Sequence, residues 1–150
     1  MDEFLSDEGI KHQYSAAYTP QKNGVVERKN RTLIDMARTM MAEFKSPYNF
    51  WTKAINTACH LSNQLYLRPF MNKTPYELLG GNKPNLSYIK VFGCKCQVYI
   101  KGSKLPKFES RTFECVFVGY AKDSHTYRVY NISTGCVEES MNVEIGRAHV

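Results

Sequence analysis

The sequence predicts an α/β chain. A mainly helical stretch over residues 1–80 is followed by a small all-β barrel over residues 85–145, and residues 146–150 stay unassigned. Two observations carry this reading. Apolar residues recur at three- and four-residue steps in two segments of the first half, the spacing of core-facing helices. After Asn85, β-branched and aromatic residues dominate in short runs separated by turn residues, the pattern of a small antiparallel barrel. Pro69, Pro75, Gly80-Gly81 and Pro84 punctuate the connector between the halves.

The elements follow in order. Asp2 to Glu8 read as the last turns of a helix stopped by Gly9, a residue favoured just past a helix end. Ile10–Tyr14 reads as a short strand. Ser15 to Pro20 reads as a loop, because Pro20 biases Thr19 away from helix. A long helix is expected from about Asn23 to Phe44, with Val26, Leu33, Ala37, Met40 and Phe44 as its buried stripe. Pro47 breaks the chain, and Asn49 can cap a second helix from Phe50 to about Tyr66. Its stripe is Trp51, Ala54, Ile55, Ala58, Leu61 and Leu65, with Trp51 read as a core residue. One helical turn is expected at Tyr76–Leu79. The barrel strands are placed at Ile89–Phe92, Lys95–Ile100, Thr112–Tyr120, Thr126–Ile132 and Cys136–Val143, with turns at Asp123-Ser124 and Ser133-Thr134-Gly135.

Composition bounds the function. The 150 residues suit one ordinary domain or two small ones, and 43% hydrophobic with 13% aromatic content excludes bulk disorder. No apolar run approaches the roughly 18–20 residues that span a bilayer, and no signal-peptide pattern opens the chain, so an intracellular protein with no membrane partner is expected. The formal charge of +6 is unevenly spread. Between Phe44 and Phe108 the only acid is Glu77, against ten Lys and Arg residues, which leaves ten bases and thirteen acids elsewhere. A base-rich middle of this kind suits a polyanion. Five cysteines, an odd count, imply reduced thiols. Cys94 and Cys96 are one residue apart, closer than zinc hairpins use, and no histidine has a partner four residues on, so a zinc site is not expected.

An ordered series of short motifs adds a resemblance. Gly9-Ile10 is followed by Tyr18-Thr19-Pro20-Gln21-Lys22-Asn23-Gly24-Val25-Val26-Glu27-Arg28-Lys29-Asn30-Arg31. Then come Phe50-Trp51 with Ala54, Asn63, Thr74-Pro75-Tyr76-Glu77, Val91-Phe92-Gly93-Cys94 and Phe117-Val118-Gly119-Tyr120. In this order the motifs resemble the end of the integrase core of copia-type LTR retrotransposons and the SH3-like module that follows it. The resemblance runs from Glu3 to about Ile145.

The resemblance implies an RNase H-like polynucleotidyl transferase that joins element DNA ends to target DNA. Such enzymes hold two divalent metal ions, magnesium or manganese, on two aspartates and a glutamate, and Glu27 matches the glutamate as catalytic residue and metal ligand. It also implies DNA contacts for Arg28, Lys29, Arg31 and Arg38 and for the barrel bases Lys101, Lys104 and Lys107. A homo-oligomeric, nuclear parent is implied too. The chain departs from the family pattern upstream of Glu27: Asp2 and Asp7 lack the glycines that surround the family's second aspartate, and no His-Cys zinc module precedes them. A lone glutamate does not assemble a two-metal site, so the chain by itself is expected to be inactive and to hold no metal stably. Gly146 to Val150 match nothing in the family and are expected to be a truncation or a non-native extension. The alternative is a non-catalytic, element-derived module that binds nucleic acid or protein.

Overall fold

The computed structural model describes residues 2–11, 14, 16–99, 112–121 and 126–145. Two compact units divide the chain, Met1–Thr32 and Leu33–Val150. The turn expected at Asp123-Ser124 lies outside the described residues, as do Lys101, Lys104, Lys107 and the tail 146–150.

In the first unit, helix α1 spans Asp2–Asp7. Gly9 ends it at φ +68, where its N–H reaches Ser6 O at 3.0 Å and the next N–H, of Ile10, reaches Leu5 O at 2.7 Å. This paired closure satisfies two of the helix's orphan carbonyls and needs the left-handed backbone that glycine adopts freely. The strand expected at Ile10–Tyr14 is not formed among the described residues 10, 11 and 14. A 3-10 turn at Pro20–Asn23 leads directly into helix α2, Gly24–Glu43.

Helix α2 continues into the second unit, where Ala37 is buried and Leu33 and Met40 are half-buried. The predicted stripe is shorter than expected at both ends, since Val26 is 60% exposed and Phe44 37% exposed. Helix α3 spans Trp51–Leu65 after a 3-10 turn at Tyr48–Phe50. Asn49 sits inside that turn and does not cap α3, whose N-cap position is Phe50 without a side-chain cap bond. Trp51 is 46% exposed and so is not the core residue its spacing suggested. The preceding Phe50 takes the buried slot instead, edge-on to Tyr130 with ring centroids 4.9 Å apart. Helix α4, Pro75–Gly80, is fixed by a reciprocal cap. The Glu77 N–H donates to Thr74 Oγ1 at 3.2 Å, and the Thr74 N–H donates to Glu77 Oε2 at 2.8 Å.

The sheet has five antiparallel strands, β1 Lys95–Tyr99, β2 Thr112–Tyr120, β3 Tyr127–Asn131, β4 Val137–Ser140 and β5 Val143–Ile145. Their order is β4-β3-β2-β1-β5. The strands expected at Lys95–Ile100, Thr112–Tyr120 and Thr126–Ile132 correspond to β1, β2 and β3. Two expectations fail. Ile89–Phe92 forms no strand, because Phe92 is drawn into a cluster with the helices and Gly93 turns the chain at φ +84. Cys136–Val143 is not one strand but two, β4 on the β3 edge and β5 on the β1 edge, with only Met141 and Asn142 between them. Two residues span less than about 8 Å, so the two edges of the sheet must lie side by side. The sheet is therefore curled into a barrel.

Strand β2 is buried on both faces. Inside the barrel, Cys115 and Phe117 pack with Cys94, Cys96, Val98, Tyr120 and Val129. On the other face, Val118 packs with Phe92 and with Ala37, Phe50 and Ala54 of the helical layer. A bulge between Phe117 and Gly119 makes this possible. It breaks strict alternation, so that Phe117 and Val118 are both buried although adjacent.

A polar and aromatic seam ties α3 to the barrel. His60 stacks on Tyr120 at 4.7 Å, and His60 Nε2 lies 3.0 Å from Tyr88 Oη. The Tyr88 hydroxyl donates to Gln64 Oε1 at 2.7 Å, and Gln64 Nε2 lies 3.3 Å from His60 Nε2, so the three side chains share one polar cluster. The Tyr120 hydroxyl accepts the Lys90 N–H at 2.9 Å, and burial pushes its pKa up to about 12. Burial also holds His60 below the ordinary histidine value of 6.5. The folded chain thus binds fewer protons at this site than the unfolded chain, and stability rises with pH through the window. The contribution is complete above pH 6.5 and is lost as pH falls toward the lowered folded value. Urea unfolding of the chain is expected to show a stability loss between pH 7.5 and pH 5.5 that His60→Gln reduces; equal losses in the two proteins would disprove the assignment.

Candidate nucleic-acid interface

The start of α2 is built by local rules. Pro20 occupies the first turn, where its missing N–H costs nothing, and Gly24 carries the right-handed conformation from the 3-10 turn into the helix at φ −58. Glu27 falls in the first turn of α2, where a carboxylate suits the helix dipole. Glu27, Arg28, Lys29, Asn30 and Arg31 are all exposed. Helical spacing puts Glu27 and Arg31 on one face of the helix. Among the described residues, Glu27 and Arg31 do not form the i, i+4 ion pair their spacing allows, whereas Arg38 pairs with Asp35 and Arg128 with Glu139.

Glu27, Arg28, Lys29 and Arg31 belong to the unit Met1–Thr32, whereas Arg38 belongs to Leu33–Val150. The Arg38 guanidinium lies 3.4 Å from Asp35, and both side chains are largely exposed. An exposed pair at that distance contributes little and leaves the arginine able to meet another anion. Arg38 also lines a groove of about 610 Å³ with Ile34, Met41, Lys45, Trp51 and Ile55. Sequence reading missed this groove, although Arg38 on α2, Lys45 just beyond it and an aromatic at the start of α3 were its signal.

The described outer face of the barrel is less basic than the sequence average suggests. Gln97 of β1 is flanked in register by Glu114 and Glu144. Arg128 is bound across strands to Glu139 at 2.8 Å, and Glu138 accepts from Asn131 at 2.9 Å. Glu77, the only acid between Phe44 and Phe108, is held in the α4 cap.

The donor set for a two-metal centre can be tested directly. Among the described residues no group of three or more His, Cys, Asp or Glu side chains is placed to hold a metal ion. Glu27 is one exposed carboxylate, and the described residues do not fit a magnesium or manganese pair. Among the described residues no helix is long and apolar enough to cross a membrane.

Residues 94–147 match the retroviral polymerase SH3-like domain. The chain is 33% identical over 130 residues to the Retrovirus-related Pol polyprotein from transposon TNT 1-94 of Nicotiana tabacum, covering 87% of this chain and 10% of that one. It is 32% identical over 142 residues to the Retrovirus-related Pol polyprotein from transposon RE2 of Arabidopsis thaliana, covering 95% and 10%. The chain therefore spans about a tenth of the length of these relatives. A solved simian T-cell lymphotropic virus intasome in complex with PP2A regulatory subunit B56 gamma aligns with 99% of this chain and 53% of its own, at 16% identity and a TM-score of 0.41, a likeness too slight to carry an argument. With an SH3-like domain in its barrel half and about one-third identity to two such polyproteins along most of its length, the chain belongs to the copia-type family of retrovirus-related Pol polyproteins.

Proposed function

We propose that residues 1–80 are the C-terminal portion of an RNase H-like integrase core, that residues 85–145 are the SH3-like module behind it, and that together they hold DNA without joining it. The observation that carries this reading is the first half of α2. There Glu27 stands in the first turn with Arg28, Lys29 and Arg31 exposed beside it. Arginine and lysine in this setting meet phosphate oxygens without reading sequence. The parent enzyme would work in the nucleus as a homo-oligomer on element ends and target DNA, with magnesium or manganese. This chain supplies one of its carboxylates and part of its DNA surface.

Two measurements test the proposal. The purified chain, given magnesium or manganese, is expected to show no end processing and no strand transfer. Metal-dependent joining that Glu27→Gln abolishes would overturn it. Duplex DNA should bind with a salt dependence of about −0.9 in log–log slope per phosphate contact, and Arg31→Ala should reduce that slope by about one. Affinity that stays flat from low to moderate salt would sink the electrostatic reading.

A further inference from the structure

Three of the five cysteines, Cys94, Cys96 and Cys115, are buried in the barrel core, and nothing in the DNA-holding reading uses them. Cys96 on β1 stands directly opposite Cys115 on β2 in the ladder register. Their Sγ atoms are 3.2 Å apart. Residues directly opposite in an antiparallel pair have Cα atoms about 4.5–5.5 Å apart, inside the span a disulfide bridges. A disulfide bond is about 2.0 Å long, so the sulfurs need only approach by about 1.2 Å. Cys94 is placed differently. The residue it faces on β2 is Phe117, whose N–H donates to Cys94 O at 2.9 Å. Cys59 lies on α3 and Cys136 is exposed before β4.

We propose that Cys96 and Cys115 are an oxidisable dithiol, a site at which a two-electron thiol oxidant joins β1 to β2 through a cross-strand disulfide. With an azo oxidant such as diamide the step balances. One thiolate adds across the N=N bond to form an S–N bond, and the second thiolate attacks that sulfur. The S–S bond forms as the S–N bond breaks. The hydrazine leaves with two electrons from sulfur and the two thiol protons.

Burial sets the rate. Cys96 is 3% exposed and Cys115 0% exposed, and burial pushes both thiols above their ordinary range, so thiolate is scarce while the barrel is closed. Oxidation therefore follows opening of the barrel. Urea below the unfolding midpoint should accelerate it several-fold, whereas an exposed thiol such as Cys136 should react at nearly the same rate with or without urea. The bond would close a ring around residues 97–114, a segment that holds Lys101, Lys104 and Lys107. By limiting the unfolded chain, it should raise the thermal midpoint by roughly 5–10 °C.

The full chain would be reduced, treated with diamide in sub-denaturing urea, and alkylated under denaturing conditions. Trypsin cleaves after Lys95 and so separates Cys94 from Cys96. The expected product is a monomer in which Cys96 and Cys115 resist alkylation and their peptides are linked until reductant is added. Cys94→Ala should keep the link, and Cys115→Ala should abolish it. The proposal is overturned if all thiols remain alkylatable, if the link maps to Cys94, or if the cross-links formed are between chains.

Discussion

Gly119→Ala is expected to destabilise the Leu33–Val150 unit by about 2–5 kcal/mol, seen as a lower urea midpoint. Two separate costs produce the loss. Gly119 has φ +140, a backbone conformation that a side chain resists. A Cβ at this position would also stand 2.8 Å from Thr57 Oγ1 on α3. That hydroxyl cannot swing away freely, since Thr57 is 2% exposed and donates to Lys53 O at 2.9 Å. Thr57→Ala in the same chain should recover the steric part and leave the conformational part. The double mutant should therefore be more stable than Gly119→Ala alone, and a neutral Gly119→Ala would show that α3 does not press on β2 as described.

Phe117→Ala should cost about 3–5 kcal/mol, the range for emptying a buried aromatic site. Phe117 is 0% exposed and sits at the centre of the barrel core. Its ring makes edge-on contacts with Tyr120 at 5.2 Å and Tyr127 at 5.8 Å. Its backbone N–H and carbonyl are bonded to Cys94 O and the Gly93 N–H. A domain of ordinary stability has about 5–15 kcal/mol in total, so this variant should be marginal or unfolded at 37 °C. Phe117→Leu keeps most of the volume and should lose less than half as much. A loss below about 1 kcal/mol for the alanine variant would contradict the burial described.

The barrel was legible in the sequence where its signals were local. Thr112–Tyr120 reads as a strand because Thr112, Phe113, Val116, Phe117, Val118 and Tyr120 make it rich in β-branched and aromatic residues, and β2 has those bounds. The corner at Met141-Asn142 was not legible, because a lone Asn with no Gly or Pro beside it does not outweigh a run that reads as one strand. It forms because Asn142 O accepts the Tyr99 N–H at 3.2 Å, a partner more than forty positions away. Trp51 failed for a related reason. Periodicity assigns a face to a helix but does not say which neighbour fills the space beside it, and Phe50 fills it here. The two motif glycines, Gly93 and Gly119, were visible only as family tags. The structure supplies their reason: a Cβ on Gly93 would meet Ser46 Oγ at 2.8 Å and Phe44 Cβ at 2.9 Å, as one on Gly119 would meet Thr57. Glu27 was placed in the first turn of α2 by spacing alone, because the position of a residue along a helix is a local property. The groove beside Arg38 was not, since two helices must pack before it exists.

The two-residue corner between β4 and β5 has a consequence for how the barrel assembles and fails. Strands β1 to β4 pair with their neighbours in sequence, so their contacts can form by successive hairpins. Strand β5 must instead reach back to β1, with Val143 opposite Val98 and Ile145 opposite Cys96. Contacts of such long sequence separation close late, after the entropy of the intervening loop has been lost. A three-residue strand is also a weak seal. When it detaches, β1 presents an open ladder of N–H and C=O groups, a template on which another chain can add a strand. The last rung to form is thus also the one whose loss turns a closed barrel into a sheet able to self-associate.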